Sequence, residues 1–313
     1  MKNVIIFFIS ILVVSPLYSQ RSYGEKIKTN KDDLSFYNLR GNVKSLKTKN
    51  YRVDNSKMNP ISSELIKFNF QGLIIEMVQY DSSERIESWK KMKYNGEGNL
   101  IEILNLNRSG NITSKEIYEL DDEGFMKRKT TLDGNGKILE KSPLHQYQFN
   151  NQGKVISEEY NNSIGVFKVT HVYDDNGNEI LKTFYQGGEV SNKYVKSYDY
   201  KGRIVKSDVY DYSSLTSSVQ YKYDFSDNII YSEFINLSGF LKVKEIVEKE
   251  YDNWNNEVSI FSESYNLDGE FLGGYSISKN YIYDNQHNYV RCTTLSSDNL
   301  PSDIEDRLIQ YYH

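Results

Sequence analysis

The side chains able to do chemistry in this chain are few and far apart. Its four histidines, His145, His171, His287 and His313, share no metal-ligand spacing, and a lone cysteine, Cys292, can build neither an internal disulfide nor a Cys-rich zinc site. Asp133-Gly134-Asn135-Gly136 followed by Glu140 offers oxygen atoms at alternate positions, as a calcium loop does, but lacks the full acidic set. No Gly-x-Ser-x-Gly elbow and no glycine-rich phosphate loop opening a helix is present. Carboxylates paired for glycoside cleavage could come from any two elements, and nothing marks such a pair. The expectation is therefore no enzyme, no cofactor and no metal. What remains is aromatic: Trp89, Trp254 and 27 tyrosines, side chains that stack on sugar rings or on one another.

Charge narrows the partners. With 38 Lys and Arg against 43 Asp and Glu, the net charge is −5 and both signs are scattered, so the concentrated basic face that nucleic acid needs is missing. The hydrophobic fraction of 38% lies below the roughly 45 to 50% of ordinary globular chains, yet aromatics reach 14%. Disorder would explain the first figure and not the second. Thin, half-exposed layers explain both.

At the N-terminus Lys2 precedes an apolar run from Val4 to Val14, then Ser15-Pro16-Leu17-Tyr18-Ser19-Gln20. That run falls short of the about 20 residues of a spanning helix, so residues 1–19 read as a signal peptide cut after Ser19. The expectation is an exported, periplasmic or extracellular protein that does not span a membrane. No cysteine follows the run, which argues against a lipoprotein.

These aromatics recur with a period. An aromatic, then Asn or Asp, two variable residues and an anchor, as in Tyr173-Asp174-Asp175-Asn176-Gly177, repeats about every 26 residues. The anchors are Gly72, Gly98, Gly124, Gly153, Gly177, Gly202, Asp227, Asn255 and His287. Three residues earlier the column reads Asn69, Asn95, Asp121, Asn150, Asp174, Asp199, Asp224, Asp252 and Asp284 without exception. An Asn or Asp at the first position of a turn bonds forward to the backbone, and the anchor then needs a left-handed conformation, which glycine adopts freely. Where Gly is absent, Asp, Asn and His stand in, side chains tolerated at positive φ. Preserving a backbone conformation in this way points to a hairpin turn with a bulge and not to a ligand site.

A second Asn/Asp-x-x-Gly turn follows many anchors, as in Asn107 to Gly110 and Asn266 to Gly269. Each unit is then strand, turn, strand, turn. The nine units predict an all-β antiparallel meander of about 18 hairpin strands, too many to stay flat, curling into a spiral or partial shell. Residues 20–38 read as a flexible segment, 39–300 as the repeat domain, and 301–313 as a tail. There Ser302-Asp303-Ile304-Glu305 has the form of a capping box ahead of a short helix.

The run Tyr198-Asp199-Tyr200-Lys201-Gly202-Arg203-Ile204 resembles a YD repeat of the RHS type, and Tyr-Asp pairs also stand at 173, 223, 251 and 283. The resemblance covers about residues 65 to 295. It implies an extended, curling β-sheet. In large relatives that sheet forms a shell around a toxin domain; in others it engages carbohydrate or protein at cell surfaces. The Arg after the glycine occurs once, at Arg203, and no C-terminal effector domain is recognisable. A small exported repeat protein of the Bacteroidota type is the nearer likeness.

Function is expected to be binding of glycan or protein in the cell envelope. The alternatives are a structural or immunity-type partner of a secreted toxin, and a glycoside hydrolase. Spacings widen from Gly124 to Gly153, from Asp227 to Asn255 and from Asn255 to His287. Extra residues are expected to leave the ladder as loops, where binding groups gather. The predicted contact residues are His145, Tyr147, Trp254, Phe271 and Tyr275.

Overall fold

The computed structural model describes residues 32–239 and 242–312. The signal-peptide reading, and residues 20–31 of the expected flexible segment, lie outside them. Among the described residues one helix, α1 (Asp32–Phe36), precedes twenty-one strands. The first seven are β1 (Val43–Asp54), β2 (Lys57–Phe68), β3 (Ile74–Tyr80), β4 (Ile86–Tyr94), β5 (Leu100–Leu106), β6 (Ile112–Leu120) and β7 (Met126–Asp133). Next come β8 (Ile138–Lys141), β9 (His145–Phe149), β10 (Val155–Asn162), β11 (Gly165–Tyr173), β12 (Glu179–Gln186), β13 (Glu189–Tyr198) and β14 (Ile204–Asp211). The last are β15 (Ser214–Tyr223), β16 (Ile229–Asn236), β17 (Val243–Tyr251), β18 (Glu257–Asn266), β19 (Phe271–Tyr283), β20 (Tyr289–Leu295) and β21 (Pro301–Tyr311). All belong to one antiparallel sheet, the expected all-β meander.

All nine anchors turn the chain as their residue types require. The six anchor glycines have φ between 71° and 86°, and Asp227, Asn255 and His287 sit at 69°, 61° and 61°. In the first of these turns Gly72 N–H donates to Asn69 O (3.0 Å), and Asn69 Oδ1 accepts the N–H groups of Gln71 and Leu73, both at 2.9 Å. The ladder slips by one residue beside each such turn, as between Lys67 and Phe68 or Ser197 and Tyr198. Such bulges sharpen the local twist, so a meander that repeats them curls.

Chain neighbours pair all the way round, with one gap, and β1 pairs with both β2 and β21. Followed from β9 up to β21, across to β1 and on to β8, the ladder passes every strand and ends beside its own start. It is open only between β8 and β9, where Pro143 has no N–H to give. Ser142 N–H extends the β7–β8 ladder by donating to Lys129 O (2.9 Å), and the seam itself is spanned by Tyr147 Oη, which donates to Met126 O on β7 (2.7 Å). The cross-strand pairs Leu46–Ile66 and Phe68–Ile74 place the apolar core on one face of the wrapped sheet, its inner face. Leu46, Ile66, Phe68, Ile74, Leu100 and Ile103 form that core, with Leu34 and Tyr37 from the α1 segment packed against it.

The junction of β21 with β1 is a tenth turn cut in two. Tyr312 N–H donates to Asn42 O (2.8 Å), the bond that Asp284 N–H makes to Asn288 O in the ninth turn. Gly41, with φ 78°, takes the anchor position, and Tyr311 takes the aromatic one opposite Val43. The slip between Val43 and Ser45 completes the likeness. Arg40 N–H donates to Asn288 Oδ1 and Arg40 O accepts from Asn288 Nδ2, joining this turn to its neighbour.

Several expectations are corrected here. Residues 301–311 form β21 and no capping helix: the free edge of β1 offers a row of backbone partners, and long-range pairing overrides a four-residue local signal. Residues 32–38 are not loose, since Asp33 is buried and its Oδ2 accepts Ile74 N–H at 2.9 Å. The 18 strands flanking the nine anchors are all present, and β1, β8 and β21 are additional. The widest spacer does not loop out either. Its extra residues stay in the ladder of β18 with β19, where Gly274 permits close approach: a Cβ there would lie 2.5 Å from Ser262 O.

Candidate functional site

The tyrosine column is occupied with holding the sheet together. Tyr94, Tyr173, Tyr198 and Tyr223 stand at the ends of their strands, and their hydroxyls donate to Ile74 O, Val155 O, Glu179 O and Ile204 O at 2.6 to 2.8 Å. Tyr251 does the same to Ile229 O (3.2 Å), and burial, followed by the charges of Glu257 and Asp224, pushes its hydroxyl up to about 12. Each staple fastens one turn to the first residue of the strand before it, and each is worth about 1 kcal/mol. A ring held in this way is structural, so function must lie where the repeat departs from its own pattern.

Two departures concern charge. The second residue after the anchor is apolar or aromatic in seven units, but Glu179 and Glu257 hold it in the other two. Each glutamate is gripped from both sides. His171 Nδ1 and Lys196 Nζ lie 2.5 and 2.6 Å from Glu179, and Lys249 and Lys279 lie 2.6 and 2.7 Å from Glu257. Burial opposes ionisation of Glu179, yet the bonds from His171 and Lys196 outweigh it and bring the carboxyl down to about 2. A carboxylate so fully engaged is a poor base or nucleophile. These triads lock adjacent strands.

Two further departures concern aromatics. The first variable residue of the turn is polar or glycine in six units but Phe70, Tyr200 and Phe225 in three. Phe70 stacks on Tyr312 with centroids 3.9 Å apart. Tyr200 and Phe225, on successive turns, are 92% and fully exposed. Between them Asp227 Oδ1 accepts from Lys201 Nζ (3.1 Å) and Arg203 Nη1 (2.7 Å). Sequence reasoning passed over both rings because they sit in the variable part of a turn. Comparing that one position across the units singles them out.

The five predicted residues are not gathered into one place. His145 and Tyr147 lie on β9. His145 is buried, its Nδ1 2.6 Å from Glu158 Oε1, and the Tyr147 hydroxyl is engaged at the seam. Trp254 belongs to the turn before β18, stacked on His287 at 4.0 Å with the Arg40 guanidinium 5.5 Å from its ring. Phe271 stands beyond the opposite end of that strand. The slip between Ser264 and Tyr265 leaves Phe271 packed on Tyr265, on the face of Glu263, whereas Tyr275 pairs with Ser262 on the other face. Phe271 and Tyr275 are 57% and 42% exposed and His145 is not exposed at all. In the calcium-like loop, Asp133 Oδ1 accepts the N–H groups of Asn135 and Lys137, as Asn69 Oδ1 does those of Gln71 and Leu73.

No family model matches the chain, and no curated protein matches it. Among solved structures it is similar to the crystal structure of TcdB2-TccC3, at 11% identity and a TM-score of 0.34 over 81% of this chain. This chain spans 16% of that one. A porin-like protein from Bacteroides uniformis is similar at 10% identity and a TM-score of 0.30, covering 86% of this chain and 98% of that one. Another porin-like protein, from Bacteroides vulgatus, is similar at 12% identity and a TM-score of 0.31 over 84% and 97%. No helix among the described residues is long and apolar enough to cross a membrane.

Proposed function

We propose that this protein is an exported, non-catalytic scaffold of the cell envelope, a YD-like β-repeat that binds glycan or protein through aromatic side chains. The observation that carries the reading is a division of labour among the rings. Column tyrosines are consumed as staples, while Tyr200, Phe225, Phe271 and Tyr275 project from the same rigid sheet with much or all of their surface bare. Bare aromatics on a rigid support are the usual material of a binding surface, because little side-chain entropy is lost when they engage. A non-catalytic role agrees with the state of the inner-face glutamates, each already held by two basic groups.

Export rests on the apolar run Val4 to Val14. The face opposite the apolar core carries pairs such as Lys93 with Glu102, at 2.5 Å, and a Lys or Arg on a lipid-facing surface costs about 2 to 4 kcal/mol at the midplane. That argues for a water-exposed sheet.

The test is a glycan array together with a pull-down from envelope extract. Wild type would be compared with folded Trp254→Ala and Tyr275→Ala variants. Capture of a glycan or protein by wild type supports the reading. Failure of wild type to capture either would leave a structural role and end this proposal.

A further inference from the structure

Two rings at the rim carry the binding reading further. Tyr200 and Phe225 hold the same position in consecutive turns, and both turns have the same bond pattern and a left-handed anchor, Gly202 at φ 78° and Asp227 at 69°. Residues so related project alike. The turns are separated by two strand spacings, about 9.5 Å, which is the advance of two rings along an extended β-1,4-linked glycan. We infer that Tyr200 and Phe225 form a two-ring stacking platform for a neutral, extended β-1,4-linked polysaccharide. This deepens the function proposed above and rests on it.

The groups around the rings favour that occupant over two others. An apolar protein partner would call for a contiguous apolar patch. Here the rings are separated by the Lys201–Asp227–Arg203 cluster, in which the Asp227 side chain stays 58% exposed. Sugars present apolar C–H faces to rings and hydroxyls to charged edges, so a ring, a polar cluster and a ring in sequence suits them. An anionic lipid surface would meet the carboxylates of Asp174, Asp199, Asp224 and Asp252 along the same row of turns and be repelled. The cations present are already matched: Arg203 bonds Asp199 at 2.7 Å as well as Asp227. A neutral chain is therefore preferred over an acidic one. Asp175 and Asn253 occupy the position on either side and limit the platform to two rings.

Titration calorimetry with cellohexaose and chitohexaose, and with the corresponding disaccharides, tests the assignment. The proteins would be wild type, Tyr200→Ala, Phe225→Ala, the double variant and Tyr275→Ala, each shown by circular dichroism to be folded. Wild type should bind at least one hexasaccharide. Each single change should weaken it roughly 10-fold, within the about 5- to 150-fold that one aromatic stack supplies to bound nucleobases. The double change should abolish binding, and a disaccharide, too short to reach both rings, should bind no better than the single variants do. Hexasaccharide binding that survives the double change but is lost in Tyr275→Ala overturns this site and leaves the proposed function standing. Wild type that ignores both sugars but captures an envelope protein or anionic vesicles through the two rings overturns the glycan assignment. Absence of any captured partner removes the platform and the proposed function together.

Discussion

Ending the chain after Gln310 should loosen the β1–β21 junction at the cut turn. Tyr312 then no longer donates its N–H to Asn42 O, and its hydroxyl no longer donates to Phe68 O at 2.5 Å. Tyr311 no longer donates to Asp284 Oδ2 at 2.5 Å or accepts from Asn288 Nδ2 at 2.8 Å. Four hydrogen bonds at about 1 kcal/mol each and a Phe70–Tyr312 stack worth about 1 kcal/mol are lost. Freeing two residues returns about 2 to 3 kcal/mol of entropy. The net cost is about 2 to 3 kcal/mol, which for a chain of this size lowers Tm by about 3 to 5 °C. Urea and thermal melts followed by far-ultraviolet circular dichroism measure the loss, and amide exchange locates it. The amides of β1 and β21 should exchange faster, while those of β14 and β15, far round the sheet, should not. A truncated protein with wild-type Tm and unchanged protection in β1 would refute the cut-turn reasoning.

Two further outcomes follow from the turns and the triads. Gly177→Val should cost about 1 to 3 kcal/mol, because φ is 82° there and a β-branched residue is strained in that region; the same change at Asn176 should cost little, and equal costs in denaturant melts would contradict the turn assignment. The carboxyl of Glu179 is depressed from 4.5 to about 2, so its stabilisation is complete above the unfolded value and is lost as pH falls through that window. Glu179→Gln should therefore lower the urea midpoint at neutral pH, and its deficit against wild type should shrink between about pH 5 and about pH 3. A deficit that does not change with pH would mean that the charge contributes nothing.

How much was legible in the sequence depended on how local each feature is. The nine anchors could be placed because a left-handed residue and an Asx side chain bonding forward are requirements of four consecutive residues. Asp227, Asn255 and His287 met them as well as glycine does. Tyr37-Asn38-Leu39-Arg40-Gly41 carries the same pattern and Leu39-Arg40-Gly41 reads as a turn into an opening strand, but that its ladder partners are Tyr311 and Tyr312, at the far end of the chain, is not a local feature. The capping box at Ser302 misled for the same reason: no local rule registers that β1 has an edge waiting. The exposed and buried aromatics could not be told apart either. Tyr200 and Tyr198 are two residues apart in one turn, yet one is bare and the other stapled to Glu179 O.

By itself, then, the sequence determined the turns, the strands flanking them and the curl that repeated bulges impose, all of which are short-range backbone consequences. Only the tertiary structure decided that β21 meets β1, that the ladder is open at the seam beside Pro143, that Phe271 and Tyr275 lie on opposite faces, and which rings remain free. These depend on register and on contacts between residues far apart in the chain, where a slip of one residue exchanges the two faces of a strand.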